Sequence, residues 1–144
     1  MAQVDRSALV LHTAEQMFNL VNDVENYPQF LPWCSGSTVL ESTDEIMQAS
    51  LYVAKAGLKY SFTTRNALQR PERIHMELVE GPFSSLSGVW TFKPLSDEAC
   101  KVSLSLQFDF SGKLASMAMS KVFNQMAATM VDAFVSRADQ VYGS

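Results

Sequence analysis

Two hydrophobic periods succeed one another along the chain, and their order predicts most of the architecture. Residues 3–11 alternate, with Val4, Ala8 and Val10 on one side and Leu9 and Leu11 on the other, which suits a strand. The period then lengthens. Met17, Phe18, Leu20 and Val21 form an apolar stripe at helical spacing over 14–22, and Thr13 stands where a hydroxyl can cap the first turn. From residue 35 the period returns to two. Strands are expected over 35–43, 46–55, 58–69, 73–80, 83–94 and 100–110. Between them lie the turn signals Thr43-Asp44-Glu45, Ala56-Gly57, Gly81-Pro82 and Ser96-Asp97-Glu98. Leu58, Tyr60, Phe62 and Thr64 share a face, as do Leu86, Gly88, Trp90 and Phe92. The run 100–110 is plainest: Cys100, Val102, Leu104, Leu106, Phe108 and Phe110 alternate with polar residues, so one face is dry and the other wet.

From Lys113 to Tyr142 there is neither proline nor glycine, and Leu114, Met117, Val122, Phe123, Met126, Met130, Phe134, Ala138 and Val141 recur at steps of three or four. This predicts one amphipathic helix of about 45 Å at ~1.5 Å per residue. An antiparallel sheet with one dry face needs a cover, and this helix is the only element long enough to supply it. The expected fold is therefore α+β: a single domain over 1–144, with a curved antiparallel sheet of about seven strands wrapped around a long C-terminal helix. One or two short helices follow the first strand. A twisted sheet curled around one helix can leave a space between them.

One segment breaks both periods. VENYPQFLPWCSGS (24–37) holds Pro28 and Pro32, which exclude a regular helix or a central strand and leave room for one short helical turn. Yet it carries Tyr27, Phe30, Leu31 and Trp33. A stiff connection that presents aromatics reads either as a plug for the core or as a lid over a cavity, with Trp33 at its mouth.

Composition narrows the classes. The chain has 144 residues, 47% of them hydrophobic and 18% charged, which suits one globular domain that can bury a sizeable core without metal or disulfide. Cys34 and Cys100, far apart and without an export signal at the N-terminus, are expected as free thiols in a cytoplasmic protein. No apolar run is long enough to span a membrane. The net charge of −4 argues against a general DNA or RNA binder. That charge is uneven: residues 1–45 carry seven acids against Arg6, whereas 46–75 carry Lys55, Lys59, Arg65, Arg70 and Arg73 against Glu72. The basic stretch reads as a solvated hairpin face, or as a surface for phosphates or another anionic partner.

Catalytic signals are sparse. His75 and Glu77 share a strand face and His12 closes the first strand, but a solvated pair accounts for them as well as acid–base chemistry does. There is no metal-ligand spacing, no glycine loop for phosphate and no GxSxG serine. Cys34 beside Trp33 reads as a small apolar filler. What remains is a surplus of large apolar side chains aimed inward, from the strands and from Met117, Met126 and Met130 of the helix. They read as core or as the lining of an apolar cavity, and the sheet-and-one-helix layout favours the cavity.

LVNDVENYPQFLPWCSGS (20–37), LEST (40–43), KAG (55–57), FTTRN (62–66), EGPF (80–83) and MVDAFVSRADQVY (130–142) together resemble the coenzyme Q-binding, START-like group of polyketide cyclase and lipid transport proteins. The resemblance spans about residues 3–142, and YPQFLPWC is its most specific part. It implies a helix-grip fold with a hydrophobic tunnel between sheet and helix. It also implies two functions of different class. Mitochondrial relatives bind ubiquinone and support respiratory electron transfer. Bacterial relatives include a toxin of a toxin–antitoxin pair, which binds the large ribosomal subunit, blocks its association with the small one and stops translation initiation. Neither is an enzyme reaction, so no catalytic residue is carried over and no cofactor is required. The implied ligand is ubiquinone or another prenyl lipid. The implied partners are the large ribosomal subunit and an antitoxin protein, with a place peripheral to the inner membrane in the quinone case. On this basis Tyr27, Phe30, Trp33, Tyr60, Phe62, Trp90, Phe92, Leu104, Leu106, Phe108, Met126 and Met130 are expected to line the tunnel. Lys55, Lys59, Arg65, Arg70 and Arg73 are the candidates to face the ribosome.

Overall fold

The computed structural model describes residues 2–112 and 114–143, and the side chains of 114–116 lie outside it. Its elements run β1 (Ala2–Val10), α1 (Ala14–Asn22), a short 3-10 helix (Val24–Gln29), β2 (Cys34–Ser42), β3 (Ile46–Lys55), β4 (Leu58–Gln69), β5 (Arg73–Glu80), β6 (Phe83–Ser96), β7 (Ala99–Phe110) and α2 (Leu114–Tyr142). All seven strands form one antiparallel sheet in the order β1-β7-β6-β5-β4-β3-β2. Successive strands from β2 to β7 are neighbours because short turns join them. The helical segment after β1 carries the chain from one edge of the sheet to the other, so β1 pairs with β7 and β2 closes the opposite edge.

Local chemistry explains the joints. Thr13 accepts from Gln16 N at 3.0 Å while the Gln16 side chain accepts from Thr13 N at 2.9 Å, a reciprocal cap that starts α1. Ala56 and Gly57 make a two-residue turn with φ of 54° and 79°, a left-handed geometry that glycine supplies at no steric cost. Pro28 fits inside the 3-10 helix, which needs few regular bonds and is followed at once by Pro32.

The sheet grips α2 unevenly. The helix packs most closely on β1 and β7, with α1 beside it, and the sheet stands farther from it toward β3, β4 and β5. Phe123, Met126, Ala127, Val131, Phe134 and Ala138 form the buried stripe of α2. Met117, expected to face inward, is 74% exposed. It lies six residues before Phe123, a rotation of about 600° at ~3.6 residues per turn, which leaves it roughly 120° off the buried stripe. Val141, expected on the same stripe, is 50% exposed, and the expected role of Leu114 lies outside the described residues.

Large aromatics fill one end of the space between sheet and helix. Phe83 stacks on Phe110 at 4.2 Å between centroids, and Phe108 meets Phe123 edge-on at 4.7 Å. Tyr60 and Phe62 complete this cluster. At the other side Phe18 of α1 packs edge-on against Phe92 at 5.7 Å. Each such pair adds about 0.5–1.5 kcal/mol to the burial of its rings.

Candidate functional site

Between the aromatic cluster and α1 lies a cavity. Its floor is the inner face of β3 to β7: Ala49 and Leu51, then Phe62, Thr64 and Asn66, Met76, Leu86 and Trp90, and Leu104 and Leu106. Its roof is Phe123, Met126, Ala127 and Met130 of α2, with Val24, Tyr27 and Trp33 closing the side. The strand register explains the opening. Asn66, Met76, Gly88 and Leu106 stand in one row across four strands, and Gly88 contributes no side chain to it. A Cβ on Gly88 would come within 2.8 Å of Leu106 Cδ1, 3.0 Å of Met76 Cε and 3.0 Å of the Ser105 carbonyl oxygen. Leu106 and Met76 therefore lie across the glycine instead of standing up into the cavity.

Its free volume is about 60 Å3, room for a few water molecules. Outside it, a groove of about 400 Å3 is lined by Phe30, Leu31, Pro32, Trp33, Lys55, Gln125, Met126, Thr129 and Ala133. Trp33 and Met126 border both spaces, so these two side chains form the partition between cavity and groove. Trp33 is only 5% exposed, and its carbonyl accepts from Ala54 N at 2.9 Å, which fixes the loop to the end of β3. Tyr27 holds the other side of the same segment: its hydroxyl donates to the Val21 carbonyl and its ring meets Phe134 edge-on at 5.4 Å. Two prolines and these two anchors make the segment a fixed wall.

Of the twelve residues expected to line the tunnel, Tyr27, Trp33, Phe62, Trp90, Leu104, Leu106, Met126 and Met130 border the cavity. Phe92 and Phe108 face the same way but are consumed by packing, under Phe18 and against Phe123 respectively. Tyr60 sits in the aromatic cluster. Phe30 lies on the groove side, against Phe134 and beneath the Arg137 guanidinium at 5.2 Å. Sequence reasoning missed Val24, Ala49, Leu51, Thr64, Asn66, Met76, Leu86, Phe123 and Ala127. For Asn66 a signal existed: it continues the inward face of Tyr60, Phe62 and Thr64 by one more step of two.

Polar chemistry in the cavity is limited. The Asn66 Oδ1 is buried without a hydrogen-bond partner, as is the Tyr60 hydroxyl outside it. Burial holds the Tyr27 hydroxyl well above the ordinary tyrosine range, with Cys34 and Asp23 adding to the shift, and burial does the same for Tyr60. Burial also raises the Cys34 and Cys100 thiols, although backbone hydrogen bonds at Gly36 and Tyr52 oppose it at Cys34. Both cysteines are buried and free. A thiol held neutral is a poor nucleophile, which fits a packing role. His12 is not near the cavity; its Nε2 lies 2.8 Å from Asp139 Oδ1 and joins the β1–α1 corner to the last turns of α2. His75 is exposed on β5. Among the described residues no group of three or more His, Cys, Asp or Glu could hold a metal.

The five basic residues do not form one patch. Lys55 and Lys59 flank the β3–β4 turn, whereas Arg70 and Arg73 lie at the opposite end of β4, roughly 35 Å away at ~3.4 Å per residue. Arg65, between them, donates to Glu41 at 2.9 Å and Gln48 at 2.8 Å. Arg70 donates to Asn19 at 2.8 Å and lies over the Phe18 ring. Extended strand geometry spreads what the sequence crowds together.

A curved antiparallel sheet, a gripped terminal helix and an apolar cavity between them define the class. The chain belongs to the polyketide cyclase / dehydrase and lipid transport family, which it matches over residues 10–135. Its architecture is similar to that of the Zhui aromatase/cyclase from Streptomyces sp. R1128, with a TM-score of 0.85 over 96% of this chain and 94% of that one, at 20% identity. At that identity the likeness concerns the fold alone. Within the family the chain is similar to the ribosome association toxin RatA of Vibrio cholerae serotype O1, with 55% identity over 99% of both chains. It is also similar to a mitochondrial coenzyme Q-binding protein homologue of Xenopus laevis, at 29% identity over 98% of this chain and 59% of that one. No helix among the described residues is long and apolar enough to cross a membrane.

Proposed function

We propose that this protein acts by binding rather than by catalysis: it associates with the large ribosomal subunit and blocks its union with the small one, and its cavity holds an apolar ligand. The observation that carries the ribosomal reading is the identity of 55% with a ribosome association toxin over 99% of both chains, too high to reflect a shared fold alone. The geometry is consistent with a binding role. The cavity is largely apolar, neither thiol lines it, and the His12–Asp139 pair stands away from it.

Lys55 and Lys59 are the basic residues best placed for rRNA phosphates. Both are exposed beside the β3–β4 turn, and neither has an ion-pair partner among the described residues. Arg65 already satisfies Glu41. Overproduction in a bacterial host, followed by a sucrose-gradient profile, tests the reading: free subunits should accumulate, and Lys55→Glu with Lys59→Glu should relieve the effect. An unchanged profile at high expression would remove it. Contacts through a few phosphates should also weaken steeply with salt.

A second reading, a carrier of ubiquinone or another prenyl lipid, is favoured by the apolar cavity and by the likeness to a coenzyme Q-binding protein. At about 60 Å3 the cavity as it stands does not admit such a molecule. Admission requires Met76, Met126 and Met130 to change rotamers, which flexible thioethers permit, and the Trp33 ring to turn on its fixed backbone toward the groove. Mass spectrometry of lipids extracted from the purified protein tests this. Repeatedly empty extracts from ubiquinone-rich cells would refute it.

A further inference from the structure

The cavity has two unlike ends. Trp33 meets β3 beside Val53 and Ala54, whereas Asn66 pairs with Met47 near the start of the same strand. Six residues of strand separate Val53 from Met47, about 20 Å at ~3.4 Å per residue. At the Trp33 end a partition leads to a groove of mixed character, open to solvent. At the other end the Asn66 Oδ1 sits buried with nothing to accept from, beside the Thr64 side chain one step along the inward face of β4. An acceptor left so in a cavity whose wall is otherwise mostly apolar costs about 1–3 kcal/mol, and a donor supplied by a ligand would recover it.

We infer that Asn66 is the determinant of ligand choice: it accepts a hydrogen bond from a hydroxyl at the head of an apolar molecule whose tail runs toward Trp33 and the groove. This rests on the reading of the cavity as a ligand site, entered by the same rotamer changes of Met76, Met126 and Met130 that a prenyl lipid requires. It specifies the class of ligand, since a hydroxyl-bearing lipid such as a hydroquinone, a phenol or a fatty alcohol qualifies and a hydrocarbon of the same shape does not. The discrimination is that of a largely apolar site with one unpaired buried acceptor, where an analogue lacking the donor leaves that acceptor unpaired.

The test compares para-hexylphenol with hexylbenzene by calorimetric titration of the full chain. The quantity read is the ratio of their Kd values in the wild type divided by the same ratio in Asn66→Leu, which cancels the difference in water solubility of the probes. A hydrogen bond of ordinary net strength, about 1 kcal/mol, changes this double ratio by roughly fivefold in favour of the phenol in the wild type. Retained binding of hexylbenzene by Asn66→Leu shows that the variant is folded. A wild-type arm works without any variant: para-hexylanisole keeps the oxygen but has no donor, and it should bind like hexylbenzene. A double ratio near one, or an anisole that binds like the phenol, overturns the role of Asn66. Failure of every probe to bind the wild type overturns the ligand site itself, and the inference with it.

Discussion

Replacing Trp33 by alanine separates a gate from a plug. The ring is 5% exposed and borders both the cavity of about 60 Å3 and the groove of about 400 Å3. In a sealed core, Trp→Ala costs about 3–5 kcal/mol, rising with the cavity left behind. Here the space vacated opens onto the groove, where water can enter, so the cost should fall at the low end, about 3 kcal/mol. The effect on a ligand is separable. A buried Trp offers ~200 Å2, and if roughly a third of it faces the ligand, ~25 cal/mol per Å2 gives about 1.7 kcal/mol, somewhat more than tenfold in Kd. Urea denaturation measures the first quantity, and the dissociation rate of para-hexylphenol, read on the folded fraction, measures the second. Trp33→Phe should restore most of both. A loss near 5 kcal/mol with the dissociation rate unchanged would show that Trp33 is core packing and that ligands do not pass it.

Three further outcomes follow from other parts of the molecule. Gly88→Ala sets a methyl within 2.8 Å of Leu106 and 3.0 Å of the Ser105 carbonyl, so it should lower stability by about 1–2 kcal/mol and weaken binding of apolar probes by lifting Leu106 and Met76 into the cavity. An unfolding midpoint and probe affinity equal to wild type would contradict this. Asp139→Ala removes the partner of the buried His12 ring nitrogen and should cost about 1–3 kcal/mol by urea titration, more than an exposed surface change would. Stability should also fall in alkali. Tyr27 keeps its proton to higher pH in the folded chain than in the unfolded one, so the native state binds more protons above the ordinary tyrosine pKa. Its contribution is intact below about pH 10 and declines above it by about 1.4 kcal/mol per pH unit. Tyr27→Phe should flatten that decline, and an equal slope in both proteins would contradict it.

The order of elements was legible because each follows from a local period. The switch from two to 3.6 at Thr13 and back at residue 35 marks α1 within the strands, and the turn at Ala56-Gly57 falls where its backbone requires. The cavity was legible only in outline. Inward faces can be assigned strand by strand, but which inward residues meet empty space depends on how far the sheet stands from α2, a property of the whole curvature. Phe92 and Phe108 illustrate this, since they point inward and are absorbed by Phe18 and Phe123. The His12–Asp139 pair spans 127 positions and leaves no local trace. The basic stretch misled for the opposite reason: residues close in sequence on extended strands are far apart in space, and Arg65 finds Glu41 on another strand.

The most direct test of the proposed activity uses purified ribosomal subunits. Increasing amounts of the purified protein are mixed with separated large and small subunits under associating conditions and resolved on sucrose gradients. The account predicts that the joined ribosome declines in proportion, that the protein sediments with the large subunit, and that Lys55→Glu with Lys59→Glu reduces both effects. Undiminished joining, with the protein left at the top of the gradient, would contradict it.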